Sequence, residues 1–181
     1  RTTPEDAPTR DAVEAIARAV PEVHRYPDGG GYALRRALAA RLAVDLDKLI
    51  LGAGSVDLIE MLARAYIADG DEAVYSQQSF VSYALAVGQV NGRPVTPATT
   101  PGRGHDLEAM AAAVTDRTRL ILLCNPNNPT GTAVRRAALE AFLDQVPTDA
   151  LIVIDEAYRE FVRDPEIPDG IDLYRDRPNV A

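Results

Sequence analysis

Apolar residues follow two alternating patterns along the chain. Short continuous apolar runs are typical of strands buried on both faces, whereas apolar residues that recur every three or four positions are typical of amphipathic helices. The runs predict strands over 48–51, 71–75, 94–95, 119–124 and 151–154. The helical spacing predicts helices over 11–20, 33–42, 56–66, 80–90, 107–114 and 133–146. This alternation indicates an α/β fold of three layers, α/β/α, with a mainly parallel sheet.

Two of the predicted strands are followed at once by polar residues. The strand 119–124 leads into the segment 125–131, which reads Asn-Pro-Asn-Asn-Pro-Thr-Gly, and the strand 151–154 leads into the segment 155–158, Asp-Glu-Ala-Tyr. Ligands of parallel α/β sheets bind beyond the carboxyl ends of the strands. We therefore expect both segments to face one pocket.

The asparagine-rich segment has the composition of a rigid donor site. Pro126 and Pro129 fix the backbone φ angle and remove two backbone donors. Asn127 and Asn128 then carry side-chain amides that are held in place and can donate to a ligand oxygen. A turn without a binding role is the alternative interpretation.

Asp155 follows four apolar residues, so its carboxylate is expected to be partly desolvated. Such a carboxylate is costly unless it meets a cation. The cation could be the protonated ring nitrogen of a ligand, or it could be one of the 18 arginines of this chain. Tyr158 would lie one helical turn further on, with its hydroxyl directed at the same pocket.

Two further features are open to a binding or a structural interpretation. The turn 52–55 (Gly-Ala-Gly-Ser) lies between a predicted strand and a helix, where backbone N–H groups can hold a phosphate. The alternative is an ordinary turn with Ser55 as the N-cap. Phe80 follows the strand 71–75, where an aromatic ring can stack on a planar ligand or join the core, and Tyr83 is a candidate packing partner for it.

Composition excludes several classes of function. The net charge is −8 and no basic stretch is present, which argues against nucleic acid as a partner. No apolar run reaches the ~18 residues of a membrane span and no signal peptide is visible. A single cysteine cannot form an internal disulfide, so a reducing, cytoplasmic setting is expected. Cys124 is the single cysteine and is expected to be a buried structural thiol. His24 and His105 are expected to be solvated loop residues, with no metal site.

These motifs resemble those of the fold-type I pyridoxal-phosphate enzymes, in particular the class I and II aminotransferases. The similarity is strongest to the histidinol-phosphate and aromatic amino acid aminotransferase group, and it runs from Tyr26 to Val180. It is carried by the segments 26–30 (Tyr-Pro-Asp-Gly-Gly), 125–131 and 155–158. The resemblance implies an aspartate aminotransferase-like large domain that is incomplete here. Residues 1–25 would form an N-terminal arm or small-domain segment, and residues 26–181 the N-terminal part of the cofactor-binding domain.

The resemblance implies pyridoxal 5'-phosphate as the cofactor and a role for each matching residue. Asp155 would pair with the pyridine nitrogen and keep it protonated. Asn128 and Tyr158 would donate to the O3′ oxygen of the ring, and Phe80 would stack on the face of the ring. The peptide bond before Pro129 is expected to be cis.

The phosphate end of the cofactor would be held by a second set of residues. The backbone amides of Ser55 and Val56 would bind the phosphate, although relatives usually carry a polar residue where Val56 stands. Tyr26 would reach the phosphate of the neighbouring subunit, which implies a homodimer with a shared active site.

The activity implied by the resemblance is transfer of an amino group between an amino acid and a 2-oxo acid. The amino acid would be of the histidinol phosphate or aromatic type, in amino-acid biosynthesis such as histidine biosynthesis. The only lysine, Lys48, precedes a predicted strand away from the pocket. The resemblance places the Schiff-base lysine of the family beyond the next strand and its carboxylate-binding arginine near the C-terminus, so both are expected beyond Ala181. A decarboxylase or lyase on the same scaffold, or a non-catalytic fragment without that lysine, remain the alternatives.

Overall fold

The computed structural model describes residues 8–171 and 177–181, which divide into two compact units between Leu49 and Ile50. The proposed boundary between the arm and the large domain at residues 25 and 26 stays a prediction. Among the described residues, every helix is too short or too polar to cross a lipid bilayer.

The first unit contains helices α1 (Arg10–Ala19) and α2 (Tyr32–Leu42), with 3₁₀ turns at Val20–Glu22 and Leu46–Lys48. The Thr9 hydroxyl accepts a hydrogen bond from Ala12 N at 3.4 Å and so caps the start of α1. In the loop before α2, the Asp28 carboxylate accepts hydrogen bonds from Gly30 N at 3.1 Å and Tyr32 N at 2.5 Å.

The second unit alternates helices and strands. Its helices are α3 (Ser55–Tyr66), α4 (Ser82–Gln89), α5 (Leu107–Ala112) and α6 (Arg136–Leu143), and a 3₁₀ turn follows at Arg159–Phe161. Its strands are β1 (Glu72–Tyr75), β2 (Arg93–Val95), β3 (Thr118–Cys124) and β4 (Leu151–Asp155). The sheet order is β2-β1-β3-β4 and every pair is parallel. Val180 adds a parallel bridge to Ile152 on the outer side of β4.

Helices cover both faces of the sheet, because successive strand residues point to opposite sides. Along β3, Leu120 and Leu122 pack with residues of α3 and α4, whereas Ile121 and Leu123 pack with residues of α5 and α6. Both faces are therefore buried, which explains the continuous apolar runs and confirms the three-layer α/β/α prediction.

One predicted strand is wrong. Residues 48–51 form no strand, since Leu46–Lys48 is a 3₁₀ turn and residues 49–51 pair with no strand in the described part of the chain. A short apolar run becomes a strand only where a neighbouring strand satisfies its backbone groups.

Candidate functional site

A pocket opens at the carboxyl ends of β3 and β4. Five of the seven residues predicted to bind the cofactor line it, together with Cys124 and Ala157; the five are Ser55, Phe80, Asn128, Asp155 and Tyr158. The tertiary structure thus brings together residues that are far apart in sequence, from Ser55 to Tyr158. Their roles toward a cofactor remain predictions.

Asp155 ends β4, with only 8% of its surface exposed. Its Oδ2 accepts a hydrogen bond from the Tyr83 hydroxyl at 2.8 Å, and its Oδ1 accepts one from Ala157 N at 3.1 Å. Across residues 8–171 and 177–181, no arginine or lysine forms an ion pair with this carboxylate. Its protein partners there are neutral donors, so a buried negative charge faces the pocket without a countercharge from the described residues.

Asn128 and Tyr158 converge on the pocket from the two strand ends. The Asn128 amide nitrogen lies 3.4 Å from the Tyr158 hydroxyl oxygen, to which it donates. The backbone of the segment 125–131 is unusual, since the peptide bonds before Pro126 and Pro129 are both cis. The expectation for Pro129 is thereby confirmed.

Asn127 does not join this pair of donors. It is buried, and its amide nitrogen donates to Gln78 O at 2.8 Å and to the Thr130 hydroxyl at 2.9 Å. Ser79 in turn donates to its Oδ1 at 3.2 Å. The prediction that Asn127 offers its amide to a ligand is therefore wrong, because the protein itself uses that amide to close the turn.

Phe80 combines the two interpretations that the sequence left open. It lies just before α4, packs partly against the core and also lines the pocket. Its ring meets the Tyr83 ring edge-to-face, with centroids 5.8 Å apart and planes at 83°. The remaining part of the Phe80 ring is available to a ligand in the pocket.

The start of α3 offers backbone amides rather than side-chain caps. The N-cap is Gly54, at φ 84°, and no side chain caps the helix, so the interpretation of Ser55 as N-cap is wrong. The Asp57 carboxylate accepts a hydrogen bond from Ala53 N at 2.9 Å, so the Ala53 amide in the turn before the helix already has a partner. The first amides of α3 have no intrahelical acceptor, and Ser55, at its first position, lines the pocket.

The other two predicted residues lie outside the pocket lining. Val56 is 40% exposed and does not line the pocket. Tyr26 belongs to the first unit and its side chain is fully exposed. Its contact with a neighbouring subunit stays a prediction.

Tyr83 is a site residue that the sequence suggested only as a packing partner. It is completely buried, and its hydroxyl reaches Asp155 across 72 positions of sequence. Burial, and after it the negative charge of Asp155, raise the pKa of Tyr83 far above its ordinary value, so the hydroxyl keeps its proton and donates. A buried tyrosine hydroxyl needs a polar partner, but the sequence does not say which one.

His105 corrects a further expectation, since it is buried rather than solvated. Its Nε2 lies 2.8 Å from the carbonyl oxygen of Cys124 and must donate to it, so in the neutral ring Nδ1 accepts from the Ser76 hydroxyl at 2.6 Å. These two bonds hold the end of β3 directly behind the pocket. Burial lowers the pKa of His105, whereas the bond to Cys124 opposes that change.

We expect this histidine to make the full-length protein less stable in mild acid. The pKa of His105 is lower in the folded protein than in the unfolded chain, where it is about 6.5. The contribution of this histidine to the free energy of unfolding is therefore fully present above that pH and is lost as the pH falls, because the unfolded chain binds the proton more readily. Urea unfolding between pH 5 and 8 should show a shallower loss of stability for His105→Gln than for the wild type. His24→Gln is the matched control, because His24 is exposed and should leave the slope unchanged. Equal slopes for all three proteins would contradict the prediction.

Cys124 is buried, as expected, but it also lines the pocket. Its thiol donates to Pro126 O at 3.2 Å. Burial, with a contribution from the charge of Asp155, raises the pKa of the thiol to about 11. It is therefore a neutral wall of the pocket and not a nucleophile.

The fold and this pocket define the class of protein. The sequence model of the aminotransferase class I and II family matches residues 2–181, and the chain belongs to this family. This result confirms the resemblance inferred from the motifs.

Individual relatives of this chain are named as aromatic amino acid or histidinol-phosphate aminotransferases. An aromatic amino acid aminotransferase from Streptomyces avermitilis is 52% identical over 175 residues, which are 96% of this chain and 48% of that protein. Histidinol-phosphate aminotransferase 2 from Pseudomonas aeruginosa is 47% identical over 169 residues, 93% of this chain and 46% of that protein. The chain spans about half the length of these curated relatives.

Solved structures confirm the fold. The crystal structure of histidinol-phosphate aminotransferase from Sinorhizobium meliloti in complex with pyridoxal-5'-phosphate matches with a TM-score of 0.89 and 30% identity, over 96% of this chain and 47% of that one. The sheet with its flanking helices is therefore part of an aspartate aminotransferase-like large domain.

Proposed function

We propose that the full-length protein is a pyridoxal-phosphate-dependent aminotransferase, and that this chain supplies the first part of its cofactor-binding domain. The observation that carries the proposal is the buried Asp155 carboxylate, which faces a pocket without an ion pair from the described residues. Its neighbours in that pocket are an aromatic ring and two polar donors, Phe80, Asn128 and Tyr158.

The residues present fit this cofactor at its ring nitrogen, its ring face and its ring oxygen. Asp155 would accept a hydrogen bond from the protonated ring nitrogen, and that nitrogen would supply the positive countercharge that the carboxylate lacks among the described residues. Phe80 covers one face of the ring and excludes water from it. The Asn128 amide and the Tyr158 hydroxyl, 3.4 Å apart, donate to the oxygen substituent on the ring.

The phosphate is assigned to the start of α3. The backbone N–H groups of Ser55 and Val56 bind it, supported by the partial positive charge of a helix N-terminus. The absence of a side-chain cap on α3 leaves those amides available. Tyr26 of one subunit contacts the phosphate held by the other, so the enzyme is a homodimer with shared sites.

When bound, the cofactor supplies an electron-accepting ring and the carbon that carries the amino group. The residues of this chain would keep a proton on the ring nitrogen, cover one face of the ring with Phe80, and hold the phosphate as an anchor. The base that moves the substrate proton is expected outside this chain, since none of the residues that line the pocket is a lysine.

The amino donor is proposed to be an aromatic amino acid, with histidinol phosphate as the second choice. The order follows from the identities, 52% to the Streptomyces avermitilis enzyme against 47% to the Pseudomonas aeruginosa enzyme. The acceptor is a 2-oxo acid, and the reaction belongs to amino-acid biosynthesis in the cytoplasm.

The proposal is tested with the purified full-length protein and added pyridoxal phosphate. Phenylalanine or histidinol phosphate is offered with 2-oxoglutarate, and glutamate formation is followed by chromatography. We expect glutamate to form with both donors and faster with phenylalanine. Release of carbon dioxide or an amine in place of glutamate would instead support a lyase, and the absence of any product would reject an enzymatic function.

A further inference from the structure

Tyr83 lies behind the pocket and contacts two of the residues assigned to the cofactor. It is in the first turn of α4, is fully buried and is not itself part of the pocket lining. Its hydroxyl donates to Asp155 Oδ2 at 2.8 Å. Its ring supports Phe80 edge-to-face at 5.8 Å. The two contacts use different parts of the side chain and can be removed separately.

The Asp155 carboxylate is held on both of its oxygens. Tyr83 donates to Oδ2, and the backbone N–H of Ala157 donates to Oδ1 at 3.1 Å. If the carboxylate rotated away, the buried Tyr83 hydroxyl would lose its carboxylate acceptor and keep only the weakly accepting Cys124 thiol beside it, which is more costly than the bond itself is favourable. The hydroxyl therefore restricts the carboxylate to one orientation before any ligand arrives.

We propose that Tyr83 is a positioning residue, which fixes the Asp155 carboxylate in the orientation that binds the ring nitrogen of the cofactor. This inference rests on the proposed function, because it requires Asp155 to face that nitrogen. A charged hydrogen bond in a buried site depends strongly on its geometry, so a carboxylate held in advance binds the nitrogen better than one that must reorient.

The test compares two ligands that differ only at the ring nitrogen. Pyridoxal phosphate and its 1-deaza analogue, with carbon in place of that nitrogen, are bound to the full-length protein, and the ratio of their Kd values reports the Asp155 contact alone. We expect the wild type to prefer pyridoxal phosphate and the preference to fall about tenfold in Tyr83→Phe, which removes one hydroxyl and keeps the ring.

Tyr75→Phe is the matched control. Tyr75 is buried and its ring also lies 5.8 Å from that of Tyr83, but it is not hydrogen-bonded to Asp155. The same loss of a hydroxyl should therefore leave the ratio unchanged. A merely structural effect would weaken both ligands equally and would not alter the ratio in either variant.

The outcomes separate this inference from the function on which it rests. A wild type that prefers pyridoxal phosphate, with a Tyr83→Phe variant that keeps the same preference, overturns the positioning role and leaves the proposed function standing. A wild type that binds both ligands equally overturns both the inference and the proposed function.

If circular dichroism shows that Tyr83→Phe does not fold, a crystal structure of the unaltered protein with pyridoxal phosphate decides. A Tyr83 hydroxyl beyond about 3.5 Å from both Asp155 oxygens overturns the inference, and one within hydrogen-bonding distance supports it.

Discussion

Replacing Asp155 by asparagine should slow amino transfer by the full-length protein about 10³-fold while the protein stays folded. An amide has no negative charge with which to keep a proton on a buried ring nitrogen, so the electron-accepting form of the ring is lost. The shape of the side chain is retained, and the asparagine oxygen can still accept the hydrogen bond from Ala157 N, which is 3.1 Å long in the wild type. Folding should therefore change far less than the rate.

The measurement is the initial rate of glutamate formation at saturating cofactor, with thermal unfolding recorded in parallel. Glu156→Gln is the matched control, because it makes the same chemical change at the next position. The Glu156 carboxylate accepts a hydrogen bond from Gly170 N at 3.0 Å and does not line the pocket. Loss of its charge should therefore change the rate by no more than about threefold. If the two variants slow the reaction equally, Asp155 has no special role.

Replacing Phe80 by leucine should weaken the binding of pyridoxal phosphate about tenfold, because an aliphatic side chain loses the stacking of two aromatic faces. Phe80→Tyr should bind within about twofold of the wild type, since it keeps the ring. Kd is measured by fluorescence titration of the full-length protein.

Part of any effect of Phe80→Leu will come from lost packing, because Phe80 also contacts Tyr83. Phe142→Leu separates the two causes. Phe142 is 1% exposed and belongs to the core on the other face of the sheet, so its truncation should destabilise the protein without touching the pocket. Equal losses of affinity in the two leucine variants would show that stacking by Phe80 contributes nothing.

The pocket residues Asn128 and Asp155 lie at or just beyond the ends of continuous apolar runs. The carboxyl ends of parallel strands share one edge of the sheet. The register between β3 and β4 pairs Cys124 with Asp155, so the two polar segments begin side by side. A rule of topology was sufficient to predict that they face one pocket.

The residues that were missed or misread depend on contacts distant in sequence. Tyr83 reaches Asp155 over 72 positions, and His105 reaches Ser76 over 29. Asn127 looked like Asn128 in sequence, yet its amide is used by Gln78, which is 49 positions away. No local pattern records which of two adjacent amides the fold will use internally.

The amino-acid sequence alone determined the layered fold, the edge of the sheet where the pocket lies and the family, because hydrophobic periodicity and short motifs are local properties. Only the tertiary structure decided which polar groups line the pocket and which support them from behind. Hydrogen-bond partners in a buried site are set by the packing of distant segments, which leaves Asn128 in the pocket lining and commits the Asn127 amide to Gln78 and Thr130.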